Sequence, residues 1–144
     1  MSLGISLYNL ENLENVVDIR MADNPRGLAV VYESSSATKE SQQFLEKVLS
    51  AVSLSPEEVV HIIRKEAAPA SLSSSEIWTS GSKLIFFGVW PADLGIHYAM
   101  EPYRPLQVQE RTILHADEIP QIAQDAHKKK ALWTALQQMF PDDV

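Results

Sequence analysis

Hydrophobic residues follow two patterns along this chain: short unbroken runs, and stripes with the three- or four-residue spacing of a helix. The clearest run lies at 83–87 and stops at Gly88 and Pro91, with Trp90 between them. An apolar run of this length between backbone breakers is typical of a strand buried on both faces, as in the middle of a parallel sheet. Similar runs at 28–32, 59–63 and 111–115 predict three more strands.

Helical stripes lie between and after these runs. Residues 38–53 predict a crossover helix, and Ser55-Pro56-Glu57-Glu58 predicts a capped helical turn before the second strand. Asp125 is placed to cap a last helix that continues through Phe140. Shorter helices are expected within 91–100 and after 117. The apolar side of the last helix is expected to consist of Leu132, Trp133, Leu136, Met139 and Phe140.

Strands that alternate with helices predict the α/β class. We expect a three-layer α/β/α sandwich around a central, mainly parallel sheet of about four strands, because right-handed crossovers place helices on the sheet faces. The segment 66–82 is rich in Ala and Ser and is expected to pass over the sheet edge.

The N-terminal residues carry a separate apolar stripe. Leu3, Leu7, Leu10, Leu13 and Val17 are spaced as on one face of a helix. Such a segment either packs on its own domain or docks as an amphipathic helix into a partner's groove. The turn residues at 24–27 end this region, so we expect residues 1–24 to form an N-terminal arm or helix and 25–144 to form one α/β/α domain.

Composition narrows the classes of function. The chain has 144 residues, of which 45% are hydrophobic and 22% charged, as in an ordinary globular domain. Its formal charge of −7 disfavours direct binding to nucleic acid. The lack of cysteine excludes disulfides, thiolate metal sites and cysteine nucleophiles. No apolar run reaches the length of a membrane span, and we expect a cytoplasmic protein without membrane contacts.

The residue types that catalysis requires are not grouped in the sequence. His61, His97, His115 and His127 lack the spacing of metal-binding motifs, and His61 is expected to be structural. Asp93 follows the central strand, where it can activate water or cap the next helix, and capping is favoured. We therefore expect no catalytic, cofactor-binding or metal-binding residues. The cleft at the carboxyl ends of the strands, where α/β proteins bind ligands, is expected to be chemically empty.

Aromatic and basic residues are the remaining candidates for function. Trp90, Tyr98 and Tyr103 are candidate partner-binding residues, because aromatic residues are enriched at the centres of interfaces; packing within the protein is the alternative. The run of three lysines at 128–130 is either a solvated helix face or a contact with an acidic partner surface.

Two segments of the chain resemble the psi-subunit family of bacterial DNA polymerase III. The first, at 45–59, reads LEKVLSAVSLSPEEV, a helix that leads through a Ser-Pro turn into a strand. The second, at 124–136, reads QDAHKKKALWTAL and looks like the family's closing helix with its Ala-Leu-Trp core. The strand with its Gly-x-x-Pro ending within 87–95 also fits. These motifs occur in the family's order and spacing over most of residues 44–136.

The resemblance implies a uracil-DNA-glycosylase-like α/β/α fold without glycosylase activity. It also implies a role as a non-catalytic adaptor, which joins the clamp loader of the replicative polymerase to another accessory subunit. In that family an N-terminal arm contacts the loader, and here the candidate arm contains Leu7, Leu10, Leu13 and Val17.

Two alternatives compete with this interpretation. One is an active nucleobase hydrolase of the uracil-DNA-glycosylase type, for which the motif at 88–91 and Asp93 would supply the site. The other is an unrelated interaction module that shares the fold, because a fold does not determine a function.

Overall fold

The computed structural model describes residues 17–20, 27–65 and 83–141, and these form a six-stranded mixed sheet with three α-helices. The strands are β1 (Val17–Arg20), β2 (Leu28–Glu33), β3 (Val60–Arg64), β4 (Lys83–Phe87), β5 (Leu106–Val108) and β6 (Arg111–Ala116). The helices are α1 (Lys39–Ala51), α2 (Ile119–Ala123) and α3 (Ala126–Met139). Single 3₁₀ turns lie at Ser34–Ser36, Pro56–Glu58 and Pro91–Leu94.

The sheet order is β1-β3-β2-β4-β6-β5. The four inner strands are the predicted ones, and all their pairings are parallel. The two outer strands, β1 and β5, pair antiparallel with their neighbours. The α/β class is confirmed, but the sheet has six strands and is mixed, where about four were expected. The sequence pattern missed β1 and β5 because strands of four and three residues show too little alternation to be distinguished from their surroundings.

Alternating side chains divide the interior into two hydrophobic layers. Val30 and Tyr32 point to one face of the sheet, where they pack with residues of all three α-helices. Ala29 and Val31 point to the opposite face, where Leu94 and Ile96 from the segment after β4 help to cover them. In β4 all four apolar residues are at most 1% exposed, which confirms a strand buried on both faces. Among the described residues, the α-helices lie on one face only, so the expected second helical layer is not seen.

Side chains cap the starts of α1 and α3, and the cap predicted at Asp125 is confirmed. The Thr38 hydroxyl accepts a hydrogen bond from the Ser41 amide at the start of α1. The Asp125 carboxylate accepts hydrogen bonds from the amides of His127 and Lys128 at the start of α3. These bonds satisfy amides that have no partner within the helix. None of the helices in the described part of the chain is long and apolar enough to cross a membrane.

Three predictions about local structure need correction. Val17 and Ile19 belong to strand β1, not to a helix, because Val17 to Arg20 pairs with β3. Trp133 is 39% exposed, whereas the rest of the predicted apolar side of α3 is buried. The helix expected within 91–100 is only a 3₁₀ turn at Pro91–Leu94. Leu7, Leu10, Leu13 and the segment 66–82 lie outside the described residues.

His61 is a structural histidine, as predicted. Its Nε2–H donates to the Pro56 carbonyl oxygen at 3.3 Å, and its Nδ1 accepts from the Tyr32 hydroxyl at 3.1 Å. The Tyr32 oxygen in turn accepts from the Gln42 side-chain amide at 3.2 Å. Both ring nitrogens therefore have partners that suit the neutral ring. Burial lowers the pKa of His61 below its usual value, and the nearby Arg20 also lowers it.

We expect the stability of the protein to decrease as the pH falls below about 6.5, the usual pKa of an unfolded histidine. Burial also lowers the pKa of His115, so both rings resist protonation in the folded state. Acid therefore protonates the unfolded chain first, and the stabilisation present above the unfolded pKa is lost as the pH falls toward the folded pKa. Urea unfolding between pH 8 and 5 measures this dependence.

The substitution His61→Gln should make that pH dependence shallower, and His97→Gln, at an exposed histidine, is the matched control. An NMR titration of the His61 ring in the folded wild-type protein gives a second measurement. A ring that titrates at or above about 6.5 would contradict the prediction.

Candidate functional site

The inner strands bring their carboxyl ends to one edge of the sheet. The chain passes from β2 to β3 on one side and then crosses to β4 and β6 on the other side. Ligands of α/β proteins commonly bind beside such a reversal of strand order. The residues that end these strands are Glu33, Arg64, Phe87 and Ala116.

An ion network connects three of the segments at this edge. Arg64 Nη1 lies 3.3 Å from Glu33 Oε1 and 3.6 Å from Asp93 Oδ2. The Arg64 side chain is only 11% exposed, so its charge depends on these carboxylates. Asp93 Oδ2 also accepts from the Trp90 amide at 3.3 Å, as the capping interpretation predicted. Both contacts hold Asp93 in a structural role.

A polar cleft of about 240 Å³ opens beside this network, between the ends of β4 and β6. We call it the carboxyl-edge cleft. Its lining residues are Gly88, Trp90, Pro102, His115, Ala116, Asp117, Glu118 and Gln121. The expectation that this edge is chemically empty was therefore wrong: an imidazole, two carboxylates and an amide meet there.

His115 forms the floor of the cleft and is held in one tautomer. Its Nδ1–H donates to the Val89 carbonyl oxygen at 3.1 Å. Trp90 stacks on the ring with 3.7 Å between centroids and 23° between planes. Burial lowers the pKa of His115, an effect opposed by the Val89 hydrogen bond and by the charges of Asp117 and Asp93. The ring is therefore neutral at pH 7, and Nε2 is a hydrogen-bond acceptor.

Tyr103 supports the cleft through hydrogen bonds to its lining residue Asp117. Its hydroxyl donates to Asp117 Oδ2 at 2.6 Å and accepts from the Asp117 amide at 3.3 Å. Burial, assisted by the hydrogen bond to Asp117, raises the pKa of Tyr103 and keeps the hydroxyl protonated. Lys128 Nζ lies 3.7 Å from the same carboxylate. Tyr103 adopts a φ of +64°, a strained value for a non-glycine residue, which these contacts maintain.

Gly88 allows Glu118 to pack closely against the backbone at the end of β4. Its φ is +72°, and a Cβ atom placed there would overlap Glu118 Cγ and lie 3.2 Å from Glu118 Cα. The Gly88 amide also continues the sheet ladder by donating to the Ala116 carbonyl oxygen. Glycine is therefore required both by the backbone conformation and by the close approach of α2.

A second cavity lies on the helical face, between α1 and α3. This apolar groove of about 180 Å³ has the exposed ring of Trp133 in its wall and Lys47 and Lys129 at its border. We call it the helix-face groove. Its lining residues are Phe44, Lys47, Val48, Ala51, Lys129, Leu132, Trp133 and Leu136.

A larger depression of about 430 Å³ runs along residues 99–106. Its charged side chains, Arg104 and Glu101, pair with each other at 3.0 Å in the open. This depression is formed by one stretch of chain and does not bring distant reactive groups together.

The predicted partner-binding residues are divided among different places. Trp90 lines the carboxyl-edge cleft and Tyr103 supports its lining residue Asp117, whereas Tyr98 is 49% exposed on the segment after β4. Val17 is buried in the sheet at 3% exposure. The sequence interpretation missed His115, Asp117 and Glu118. Strand 111–115 is one of the predicted strands. The expectation that ligands bind at the carboxyl end of a strand, applied to β6 as well as to β4, points to these three residues.

In the described part of the chain, no group of three histidine, aspartate or glutamate residues is placed to hold a metal ion. Comparison with family models, with curated proteins and with solved structures gave no match to this chain. The carboxyl-edge cleft and the helix-face groove are therefore the basis for inferring its function.

The substitution Gly88→Ala should destabilise the protein by about 1–3 kcal/mol, the usual cost of a strained backbone conformation in a non-glycine residue, with the steric overlap in addition. Urea unfolding measures the loss. Combining it with Glu118→Ala removes the Cγ overlap and should restore part of the stability, but not all of it, because the φ and the Glu118 backbone remain. Stability equal to that of the wild type in the single variant would contradict this account.

The substitution Tyr103→Phe should cost about 1–3 kcal/mol, because it leaves the Asp117 carboxylate without its shortest hydrogen bond. The control is Tyr98→Phe, at an exposed tyrosine without a hydrogen-bond partner in the described structure, which should change stability by less than about 0.5 kcal/mol. Equal effects of the two substitutions in urea unfolding would show that the Tyr103 hydroxyl has no special role.

Proposed function

We propose that this protein is a cytoplasmic, non-catalytic adaptor of the psi type, which works in the clamp-loader assembly of a bacterial replicative polymerase. The supporting observation is the composition of the helix-face groove. All of its lining residues except Phe44 come from the two segments, 45–59 and 124–136, that resemble the psi family. Two separate segments that resemble the family thus form one surface of the protein.

The groove has the properties of a protein-binding surface. Trp133 is 39% exposed, and exposed aromatic rings in an apolar setting are frequent anchors of interfaces. Lys47 and Lys129 border the groove, which favours a partner segment with an apolar stripe and flanking carboxylates. We propose an accessory subunit of the assembly as this partner, and the N-terminal arm with Leu7, Leu10 and Leu13 as the contact to the loader.

The proposed fold is the three-layer sandwich that the resemblance implies. Four parallel inner strands and one helical layer support it. Residues 89–96 cover part of the opposite face, where Val89, Leu94 and Ile96 are buried. We propose that further segments complete that layer.

The adaptor proposal is tested by purifying the chain together with the clamp-loader and accessory subunits of its own organism. We expect co-elution in gel filtration. The substitution Trp133→Ala should weaken binding to the accessory subunit at least about tenfold, as expected for an interface anchor. Gln138→Ala, at an exposed position of the same helix outside the groove, should have no effect.

Replacing Leu7 and Leu10 by Asp tests the contact of the arm separately. These changes should abolish co-elution with the loader and leave the accessory subunit bound. Failure to co-elute in every combination would refute the adaptor role.

A second candidate function, a nucleobase hydrolase, is favoured by the carboxyl-edge cleft. An aromatic ring, a neutral imidazole and two carboxylates surround a space in which a flipped base could be read and attacked. Asp93 is engaged by Arg64 and the Trp90 amide, so Glu118 is the better candidate for activating water. Release of free uracil from a uracil-containing oligonucleotide, abolished by Glu118→Gln, would favour the hydrolase over the adaptor.

A further inference from the structure

The carboxyl-edge cleft is rich in hydrogen-bond acceptors that lack partners. His115 is only 6% exposed, yet its Nε2 faces the cleft and has no partner among the described residues. The Glu118 carboxylate also has no ion pair or hydrogen bond in the described structure. Asp117 contributes a third acceptor, although Tyr103 and Lys128 already contact one of its oxygens. These acceptors reach the open space of the cleft, and Glu118 is an exposed residue, so a ligand that supplies donors can pair with them.

The cleft also offers an aromatic surface. Trp90 stacks on His115, and 45% of the Trp90 residue surface is exposed at the border of the cleft. Tryptophan is the aromatic residue that attracts cations most strongly, and a flat cation gains both the electrostatic attraction and stacking.

We propose that the carboxyl-edge cleft binds an alkylguanidinium group, the chemistry of an arginine side chain. The planar group presents five N–H donors in a fixed fork, which suits the Glu118 carboxylate while one face lies on the side of Trp90 that His115 leaves uncovered. A space of about 240 Å³ is large enough for the guanidinium with part of its alkyl chain. This site is separate from the helix-face groove, and its function does not depend on the adaptor role.

Other ligand classes match the cleft less well. A phosphate or carboxylate ligand would be repelled by Asp117 and Glu118. A lysine ammonium is compact and strongly hydrated, so it gains less from the flat face of Trp90. A neutral nucleobase can stack, but it brings no positive charge to the two carboxylates.

The test uses the full chain and follows the indole NMR signal of Trp90 during titration with capped tripeptides. Acetyl-Gly-Arg-Gly-amide should shift this signal saturably in the millimolar range or tighter. The matched peptide with citrulline, a neutral isostere of arginine, should bind at least about tenfold more weakly, because it lacks the charge that strengthens hydrogen bonds to carboxylates. The lysine peptide should fall between them.

Variants locate the site. Glu118→Gln and Trp90→Leu should each weaken binding of the arginine peptide about tenfold, consistent with the loss of one charged hydrogen bond or of the cation–aromatic contact. Glu110→Gln is the control, because it removes the same charge from the turn between β5 and β6, at the amino end of β6, and should leave the affinity unchanged.

Free L-arginine and agmatine distinguish the two sources of the guanidinium. Binding of the capped peptide and agmatine but not of free arginine, whose α-carboxylate meets Asp117 and Glu118, would assign the site to a protein partner. Equal binding of free arginine would assign it to a small molecule. Equal binding of the citrulline and arginine peptides, saturable binding of uracil in the absence of arginine binding, or an equal effect of Glu110→Gln would overturn the proposal.

Discussion

The parallel pairing of β3, β2, β4 and β6 is the constraint on which the rest of the structure depends. Strands in this arrangement must be covered on both faces, which requires the continuous apolar runs seen in β2 and β4. It also forces every inner strand to end at the same edge. The segments that follow these strands therefore lie side by side at this edge. Charged and aromatic residues from distant parts of the chain meet there.

The carboxyl-edge cleft is a direct consequence of that geometry. The Trp90–His115 stack joins the segment after β4 to the end of β6, and the Tyr103–Asp117 hydrogen bond joins a strained turn to the same place. Gly88 lets α2 approach closely enough for Glu118 to form one wall. These contacts fix Trp90, Tyr103 and Asp117, which lie outside the strands and helices, and they leave Nε2 of His115 and the Glu118 carboxylate without partners among the described residues.

The two surfaces suit different partners. The helix-face groove is apolar with lysines at its border, whereas the carboxyl-edge cleft is polar and accepts hydrogen bonds. One lies on the helical face of the sheet and the other at its carboxyl edge. Of these two surfaces, the proposed adaptor role uses only the helix-face groove, so the ligand proposed for the carboxyl-edge cleft stands or falls separately from it.

The sequence by itself determined the parts that depend on local pattern. It located the four inner strands, α1 and α3, the Asp125 cap, the role of Asp93 as a cap and the structural role of His61, because periodicity and capping act over a few residues. It predicted Val17 to lie on a helical stripe and Trp133 to be buried with the rest of its helix face. Only the tertiary structure placed β1 and β5 at the sheet edges, left Trp133 exposed beside α1 and brought Trp90, His115, Asp117 and Glu118 together. The physical reason is that edge pairing, helix contacts and strand-end clusters join residues far apart in the chain, whose proximity depends on the strand order and not on local spacing.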